Sequence, residues 1–186
     1  IAPALKSARM GRSLKIWCAA ASSGQEPYSL GMLLDEIPGL NADILATDMS
    51  APVLEKAKAG IYTQFEVQRG LPIQRLVKNF DQVGDSWRIK PQLRQKVRFE
   101  QANLLDDFSR FGRMDVIFCR NVLIYFDIQT KAKILDRLAS LLADDGFLLL
   151  GAAETVVGLT DNLRPISGHR GLYAKPAMAA KLTNAA

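Results

Sequence analysis

Residues Trp17 to Leu30 read WCAAASSGQEPYSL, a short apolar run, a turn of small residues, and a helix start at Gln25, Glu26 and Pro27. A strand that passes into a helix through such a turn is half of a βαβ unit, and that unit commits the chain to parallel strands with crossover helices. The carboxyl ends of parallel strands form the edge where α/β proteins bind ligands, because small residues let a ligand approach the backbone. Pro27 suits the first helical turn, where its missing N–H is not needed.

The same rhythm recurs along the chain. Leu14 to Cys18 is followed by a helix to about Glu36, and Asp43 to Thr47 by a helix from Ser50 to about Lys58. Ser50 is expected as the N-cap, Pro52 lies in the first turn and Gly60 closes the helix. Val97 to Gln101 and Met114 to Arg120 continue the strands, before an amphipathic helix from about Asp127 to Leu142 with Ile134, Leu135, Leu138, Leu141 and Leu142 as its apolar stripe. Asp144, Asp145 and Gly146 are expected to turn into the strand Phe147 to Leu150, and Leu172 to Lys175 to be a final strand. These spans predict a doubly wound α/β fold with a mostly parallel sheet. Between Ile61 and Lys96 the rhythm breaks into an irregular basic insertion, punctuated by Gly70, Pro72, Gly84 and Pro91, with a short helix near Pro72 to Asn79 and a strand at Trp87 to Lys90.

The bulk properties narrow the class. A chain of 186 residues suits one domain, and no apolar run reaches the length of a membrane span. The opening IAPALKSARMGR lacks the apolar core of a signal peptide and reads as a linker remnant over residues 1–12, ahead of a domain over 13–176 and a poorly ordered tail over 177–186. The two cysteines, Cys18 and Cys119, each end an apolar strand; without partner histidines they give neither a metal site nor a disulfide framework, which fits a reducing cytoplasm. They would lie near one another if their strands were neighbours. Net charge is +5, with Arg69, Arg75, Lys78, Arg88, Lys90, Arg94, Lys96 and Arg98 gathered in one stretch, which suggests an acidic partner surface. Aromatic residues there are too few and irregular for a nucleic-acid stacking platform.

The strand ends carry suitable chemistry. Ala19, Ala20 and Ala21 stand where the dinucleotide fingerprint G-x-G-x-x-G would place early glycines, so a pyrophosphate is disfavoured and a nucleoside with a small zwitterionic tail is expected instead. Asp48 follows the second strand, where a carboxylate can accept both hydroxyls of a ribose. Asn103, Leu104 and Asp106 follow the third, offering polar and apolar contacts to a base, and Arg120 and Asn121 follow the fourth.

With these residues assembled, the sequence closely resembles the catalytic domain of the CheR family of chemotaxis-receptor methyltransferases. The resemblance rests on WCAAASSGQEPYSL, ILATDMSAPVLEKAKAGIY, FEQANLLD, MDVIFCRNVLIYF and LLADDGFLLLGAAET, in the family's order. It implies a Rossmann-like class I fold whose mostly parallel sheet ends in an antiparallel final strand, S-adenosylmethionine as cofactor with S-adenosylhomocysteine as product, and methyl esters of receptor glutamates as the outcome of turnover. By position, it implies that Ala19, Ala20 and Gly24 with Gln25 and Glu26 flank the methionine portion, and that Asp48 lies at the ribose. Asn103 and Leu104 would border the adenine, Arg120 and Asn121 would line the cofactor floor, and Tyr125 would stand near the transferring methyl. Gln25 replaces a glutamate common in the family. The resemblance further implies a cytoplasmic monomer that acts on receptor helices, without membrane insertion and without nucleic acid, and a preceding helical domain that this chain does not include.

Three rivals remain at this stage: a cofactor-binding signalling module without turnover, a methyltransferase with another substrate, and an NAD-dependent oxidoreductase. Asn121 opens NVLIYF where base methylation of amino groups uses an N-P-P-Y-like segment, and Cys119 is preceded by Phe118 where a cytosine methyltransferase needs Pro-Cys. His169, the single histidine, lies in a glycine-flanked bend and is read as structural or exposed.

Overall fold

The computed structural model describes residues 12–183. In chain order the elements are β1 (Leu14–Ala19), α1 (Gln25–Asp35), β2 (Ala42–Asp48), α2 (Ala51–Ala59), β3 (Ile61–Thr63), α3 (Gln64–Gln68), α4 (Ile73–Asn79), β4 (Phe80–Val83), β5 (Ser86–Ile89), α5 (Pro91–Arg94), β6 (Val97–Gln101), β7 (Met114–Cys119), α6 (Ile128–Leu141), β8 (Leu142–Leu150), β9 (Arg164–Pro165), β10 (Leu172–Ala174) and α7 (Pro176–Thr183). The main sheet has seven strands in the order β6-β2-β1-β7-β8-β10-β9. Its first five strands pair in parallel, and β10 runs antiparallel to both β8 and β9. The expected doubly wound sheet with an antiparallel end is therefore present.

Alternation along β1 explains why both faces of the sheet are covered. Leu14, Ile16 and Cys18 point into one hydrophobic cluster, shared with Tyr28 and Met32 of α1, while Trp17 and Ala19 point into a second, shared with Ile134, Leu135 and Leu138 of α6. This placement also separates the cysteines. Their strands are neighbours, but Cys18 lies in the first cluster and Cys119 in the second, on opposite faces of the sheet. Both are buried free thiols.

The segment expected to be irregular is folded. β3, β5 and β4 form a three-stranded antiparallel sheet, with the β4–β5 hairpin closed by Gly84 and Asp85. Tyr62, Val67, Leu76, Phe80, Ile89 and Leu93 of this insertion belong to the same hydrophobic cluster as α1, so it packs as part of the domain. The expected strand at Trp87 to Lys90 is β5 and the expected helix near Pro72 to Asn79 is α4; β3 and β4 escaped sequence reading because three or four residues carry too little periodicity to register.

Two local expectations need correction, and a third, the Ser50 N-cap, holds in position but not in its bonding. Asp144, Asp145 and Gly146 do not form a turn ahead of a strand; they lie within β8, at the irregularity where Met114 pairs with Leu142 but Val116 with Phe147. Gly146 is needed there because a Cβ would stand 2.8 Å from the Asp115 carbonyl oxygen. Ser50 occupies the N-cap of α2 but makes no side-chain cap bond; its N–H instead donates to Asp48 Oδ1. Residues 176–183 are not a loose tail but helix α7, whose Met178, Ala179 and Leu182 pack on the first cluster. Residues 1–11 and 184–186, which include most of the expected linker remnant and the end of the expected tail, lie outside the described residues. No helix among the described residues is long and apolar enough to cross a membrane.

Leu138 is fully buried between α6 and the sheet. Leu138→Ala is expected to lower the free energy of unfolding by about 2–5 kcal/mol, seen as a lower urea midpoint at an unchanged slope. A midpoint equal to that of the parent would contradict the packing described for this face.

Candidate active site

The strand order reverses at β1, which lies between β2 and β7, so the carboxyl ends of β1 and β7 open onto one crevice. Ala19, the last residue of β1, is buried and in register with Thr47 of β2 and Cys119 of β7. Beyond it the backbone turns through left-handed conformations at Ala20 (φ 60°), Ser22 (φ 49°) and Gly24 (φ 86°). Asn121, just past β7, is also left-handed at φ 58°. Ala20, Ser22 and Asn121 are the non-glycine residues with positive φ among those described, and all three border this crevice. Such conformations persist only where the surroundings hold them.

The holding contacts are specific. Ala21 N–H donates to the Thr47 carbonyl at 2.8 Å, Ser22 N–H to Asp48 Oδ2 at 2.9 Å, and Gly24 N–H to the Ala21 carbonyl at 3.0 Å. From the insertion, the Tyr62 hydroxyl donates to the Ser23 carbonyl at 2.7 Å. The burial of Tyr62 pushes its hydroxyl well above the usual tyrosine range, so it stays a donor. Sequence reading missed this tyrosine, and no pattern in its own segment marks it.

Asp48 stands at the end of β2 with Oδ2 accepting from Ser22 N–H and Oδ1 from Ser50 N–H. A carboxylate has about four lone-pair directions, so acceptor capacity remains at both oxygens. Glu26, in the first turn of α1, accepts a hydrogen bond from Arg120 Nη1 at 2.8 Å, and this ion pair spans the crevice from α1 to the end of β7. Burial raises the Glu26 carboxyl above the ordinary glutamate range, and the Arg120 guanidinium partly opposes that rise. Beside β6, Asn103 Oδ1 accepts from Leu105 N–H at 3.0 Å, which closes a turn and leaves the side-chain amide group available. Leu104 is buried in the cluster that contains Ala19.

The structure thus joins Ala19, Ala20, Gly24, Glu26, Asp48, Arg120 and Asn121 around one crevice, with Asn103 and Leu104 at the adjoining strand end. Tyr125 stands apart in a short 3-10 turn, 80% exposed, with its ring free of polar partners among the described residues. Gln25 interacts with Ser23 Oγ at 3.3 Å and also lines a separate cavity of about 390 Å³ between α1 and the insertion, bordered by Tyr28, Met32, Tyr62 and Phe80. His169 is exposed in its bend, as expected. No group of residues suited to holding a metal ion occurs among the described residues.

A further acid at this edge, beside Asp48 and Glu26, was not assigned from sequence. Glu154, buried at 8% exposure, lies in the turn after β8 and accepts N–H bonds from Asn121, Val122, Leu123 and Gly151. Its signal was weaker than that of Asp48, which ends β2, because Glu154 follows the short GAA turn after β8.

Comparison with known proteins points in one direction. A family profile described as CheR methyltransferase, SAM binding domain, matches residues 1–172. The chain is 43% identical over 170 residues to Chemotaxis protein methyltransferase Cher2 of Pseudomonas putida, covering 87% of this chain and 62% of that protein. It is 42% identical over 180 residues to Chemotaxis protein methyltransferase 1 of Pseudomonas aeruginosa, covering 92% of this chain and 66% of that protein. The chain spans less than two thirds of the length of either relative. Among solved structures, the citrinin polyketide synthase CMeT domain matches with a TM-score of 0.50 at 18% identity, covering 95% of this chain and 41% of that one; that likeness is one of fold.

The Glu26–Arg120 pair gives a testable titration. Because folding raises the Glu26 pKa, its contribution to stability is present below the unfolded value and is lost as pH rises through the folded value. Carboxyl-carbon NMR should find Glu26 titrating above an ordinary glutamate, and Arg120→Ala should move it higher still. A downward move in that variant would show that the guanidinium does not act on Glu26.

Proposed function

The chain belongs to the CheR methyltransferase family, and from that premise we propose that it binds S-adenosylmethionine in the crevice at the ends of β1 and β7 and methylates glutamate carboxylates of chemotaxis receptors. The products are a glutamate methyl ester and S-adenosylhomocysteine. The observation that carries the reading is the convergence of Asp48, the Glu26–Arg120 pair and the strained loops Ala20–Gly24 and Arg120–Asn121 on one switch-point crevice.

The donor set fits the cofactor. Asp48 retains acceptor capacity for a ribose diol, Asn103 offers an amide and Leu104 an apolar face to a base, and Glu26 beside Arg120 matches the opposite charges of a zwitterionic tail. The turn after β1 has too few glycines to cradle a pyrophosphate, which disfavours NAD. Ala19, Ala20, Gly24 and Gln25 supply the wall against which the tail would lie, and Asn121 the floor.

When bound, S-adenosylmethionine supplies an electrophilic methyl group. A glutamate side chain is already anionic at neutral pH and needs no general base. The buried thiols agree with that division of labour: burial raises Cys18 and Cys119 well above the ordinary cysteine range, so neither is a nucleophile. The work left to this chain is to fix the orientation of both reactants and keep water away. Tyr125 is exposed beyond the Arg120–Asn121 turn, which supports a role toward the incoming substrate and not at the cofactor's buried end.

Receptor docking is assigned to the insertion, with a narrower basis than its composition suggests. Arg75 forms two hydrogen bonds to Glu36, while Lys96 pairs with Asp35, Arg98 with Glu100 and Lys56 with Glu66. Lys90 pairs with Asp81, and the half-buried Arg94 donates to the Ala59 carbonyl; Arg69, Lys78 and Arg88 are exposed, have no ion pair with another described residue, and are the cations left to steer an acidic helix. Reversing these three to glutamate should weaken binding of receptor cytoplasmic helices and flatten its salt dependence, while S-adenosylhomocysteine binding stays unchanged. Receptor affinity that survives the reversal at low salt would refute the docking role.

The cofactor assignment is tested by calorimetric titration with S-adenosylmethionine, S-adenosylhomocysteine and NAD. Asp48→Ala is expected to weaken S-adenosylhomocysteine binding by about 1–3 kcal/mol without unfolding the domain. Preference for NAD would overturn the reading, and binding without methyl transfer to receptor helices in the full-length protein would favour a signalling module.

A further inference from the structure

The turn after β7 does not hold itself. Asn121 is left-handed, the following 3-10 turn has only the Val122 and Leu123 carbonyls as internal acceptors, and its leading N–H groups would otherwise point into the protein without partners. Glu154 takes all of them. Its Oε2 accepts from Asn121 N–H at 2.8 Å and from Gly151 N–H at 2.6 Å, and its Oε1 from Val122 N–H at 2.9 Å and Leu123 N–H at 2.7 Å. The Glu154 carbonyl in turn accepts from the Tyr173 hydroxyl at 3.3 Å, which ties the clasp to β10.

The fit leaves no slack. A Cβ on Gly151 would stand 2.4 Å from Asn121 Oδ1, 2.7 Å from Glu154 Oε2 and 2.9 Å from the Asn121 nitrogen. The Asn121 side chain therefore rests directly over the bare Gly151 backbone. Those distances make Gly151, Glu154 and Asn121 one unit, contributed by the ends of β8 and β7.

We propose that Glu154 is a positioning residue for the proposed methyl transfer: by binding the N–H groups of residues 121–123 it fixes the left-handed Asn121 turn and so aims Arg120 and Asn121 at the crevice. The inference rests on the cofactor reading above for its functional half, whereas the structural half stands on the hydrogen bonds alone. No neutral side chain of this size replaces it. Glutamine offers a single acceptor oxygen, and its NH2 would face two N–H donors, so Glu154→Gln breaks one pair of bonds at nearly constant volume. Glu154→Ala removes both pairs and leaves buried donors unsatisfied.

The test uses Glu154→Gln, Glu154→Asp and Gly151→Ala in the same chain as the parent, studied well below their unfolding midpoints. Hydrogen exchange should accelerate at residues 121–123 and 151 in Glu154→Gln, while the amides of β1 and α6 keep the parent's protection. S-adenosylhomocysteine affinity should fall by roughly tenfold to a hundredfold, with partial recovery in Glu154→Asp. A double-mutant cycle with Arg120→Ala should be strongly non-additive, because a carboxylate acting through the turn has nothing left to aim once Arg120 is gone. A residue serving stability alone would lower the midpoint and leave affinity and the cycle unaffected. Gly151→Ala, which keeps the carboxylate but displaces Asn121, should reproduce the loss of affinity. Parent-like exchange at 121–123 in folded Glu154→Gln, or local exchange without loss of affinity, would overturn the proposal. Failure of the parent itself to bind S-adenosylhomocysteine would instead overturn the cofactor reading, and the exchange measurements would still decide whether Glu154 holds the turn.

Discussion

Parallel pairing of β1 on both of its sides is the constraint from which the crevice follows. With β2 and β7 both in register with it, β1 has no free edge, and its chain must leave the sheet at the carboxyl end. It leaves toward α1 on one face, while the chain from β7 leads to α6 on the other; Tyr28 and Met32 lock the first helix against Ile16 and Cys18, and Ile134 and Leu135 lock the second against Trp17 and Ile117. The two connections diverge from adjacent strands, so neither can fill the space between them.

Turning off the sheet within a few residues forces Ala20, Ser22 and Asn121 into the left-handed region, which L-residues avoid by roughly 1–2 kcal/mol each. That strain is offset from outside the loops and not within them. The end of β2 supplies the Thr47 carbonyl and Asp48, the insertion supplies Tyr62, and the end of β8 supplies Glu154. Each loop of the crevice is thus held by the strand ends flanking it, and the residues with apparent ligand-binding chemistry share their hydrogen-bonding capacity with the backbone. Asp48 does both: it braces Ser22 and Ser50 while keeping lone pairs toward the crevice.

How much of this could be read in advance depends on the length scale of each feature. Parallel strands and the α6 stripe are legible because burial on both faces leaves continuous apolar runs and a 3.6-residue period leaves a stripe. Asp48 and Arg120 are legible because strand ends at a switch point have few structural reasons to be charged. β3 and β4 were not, since three- or four-residue strands carry no usable period, and α7 was not, because PAMAAKLT reads as featureless until Met178, Ala179 and Leu182 meet the sheet. Tyr62 and Glu154 lie 39 and 33 residues from the backbone atoms they hold at Ser23 and Asn121. Nothing in a linear sequence joins such partners; only the topology does.

The insertion shows the same limit in electrostatic form. Counted along the chain, its cations suggest a positive face, yet Arg75 and Lys96 turn inward to Glu36 and Asp35 at the carboxyl end of α1. At the other end of that helix, Tyr62 packs edge-on to Tyr28 at 6.5 Å between ring centroids and reaches Ser23 with its hydroxyl. Exposed ion pairs of this kind are screened by solvent and contribute little, so the aromatic packing of Tyr28, Tyr62 and Phe80 carries most of the attachment. The insertion therefore grips α1 at both ends, by charge where the helix meets solvent and by burial where it meets the crevice. A helix held in that way cannot shift along its axis without breaking one set of contacts, and Glu26, in its first turn, is kept opposite Arg120 as a result.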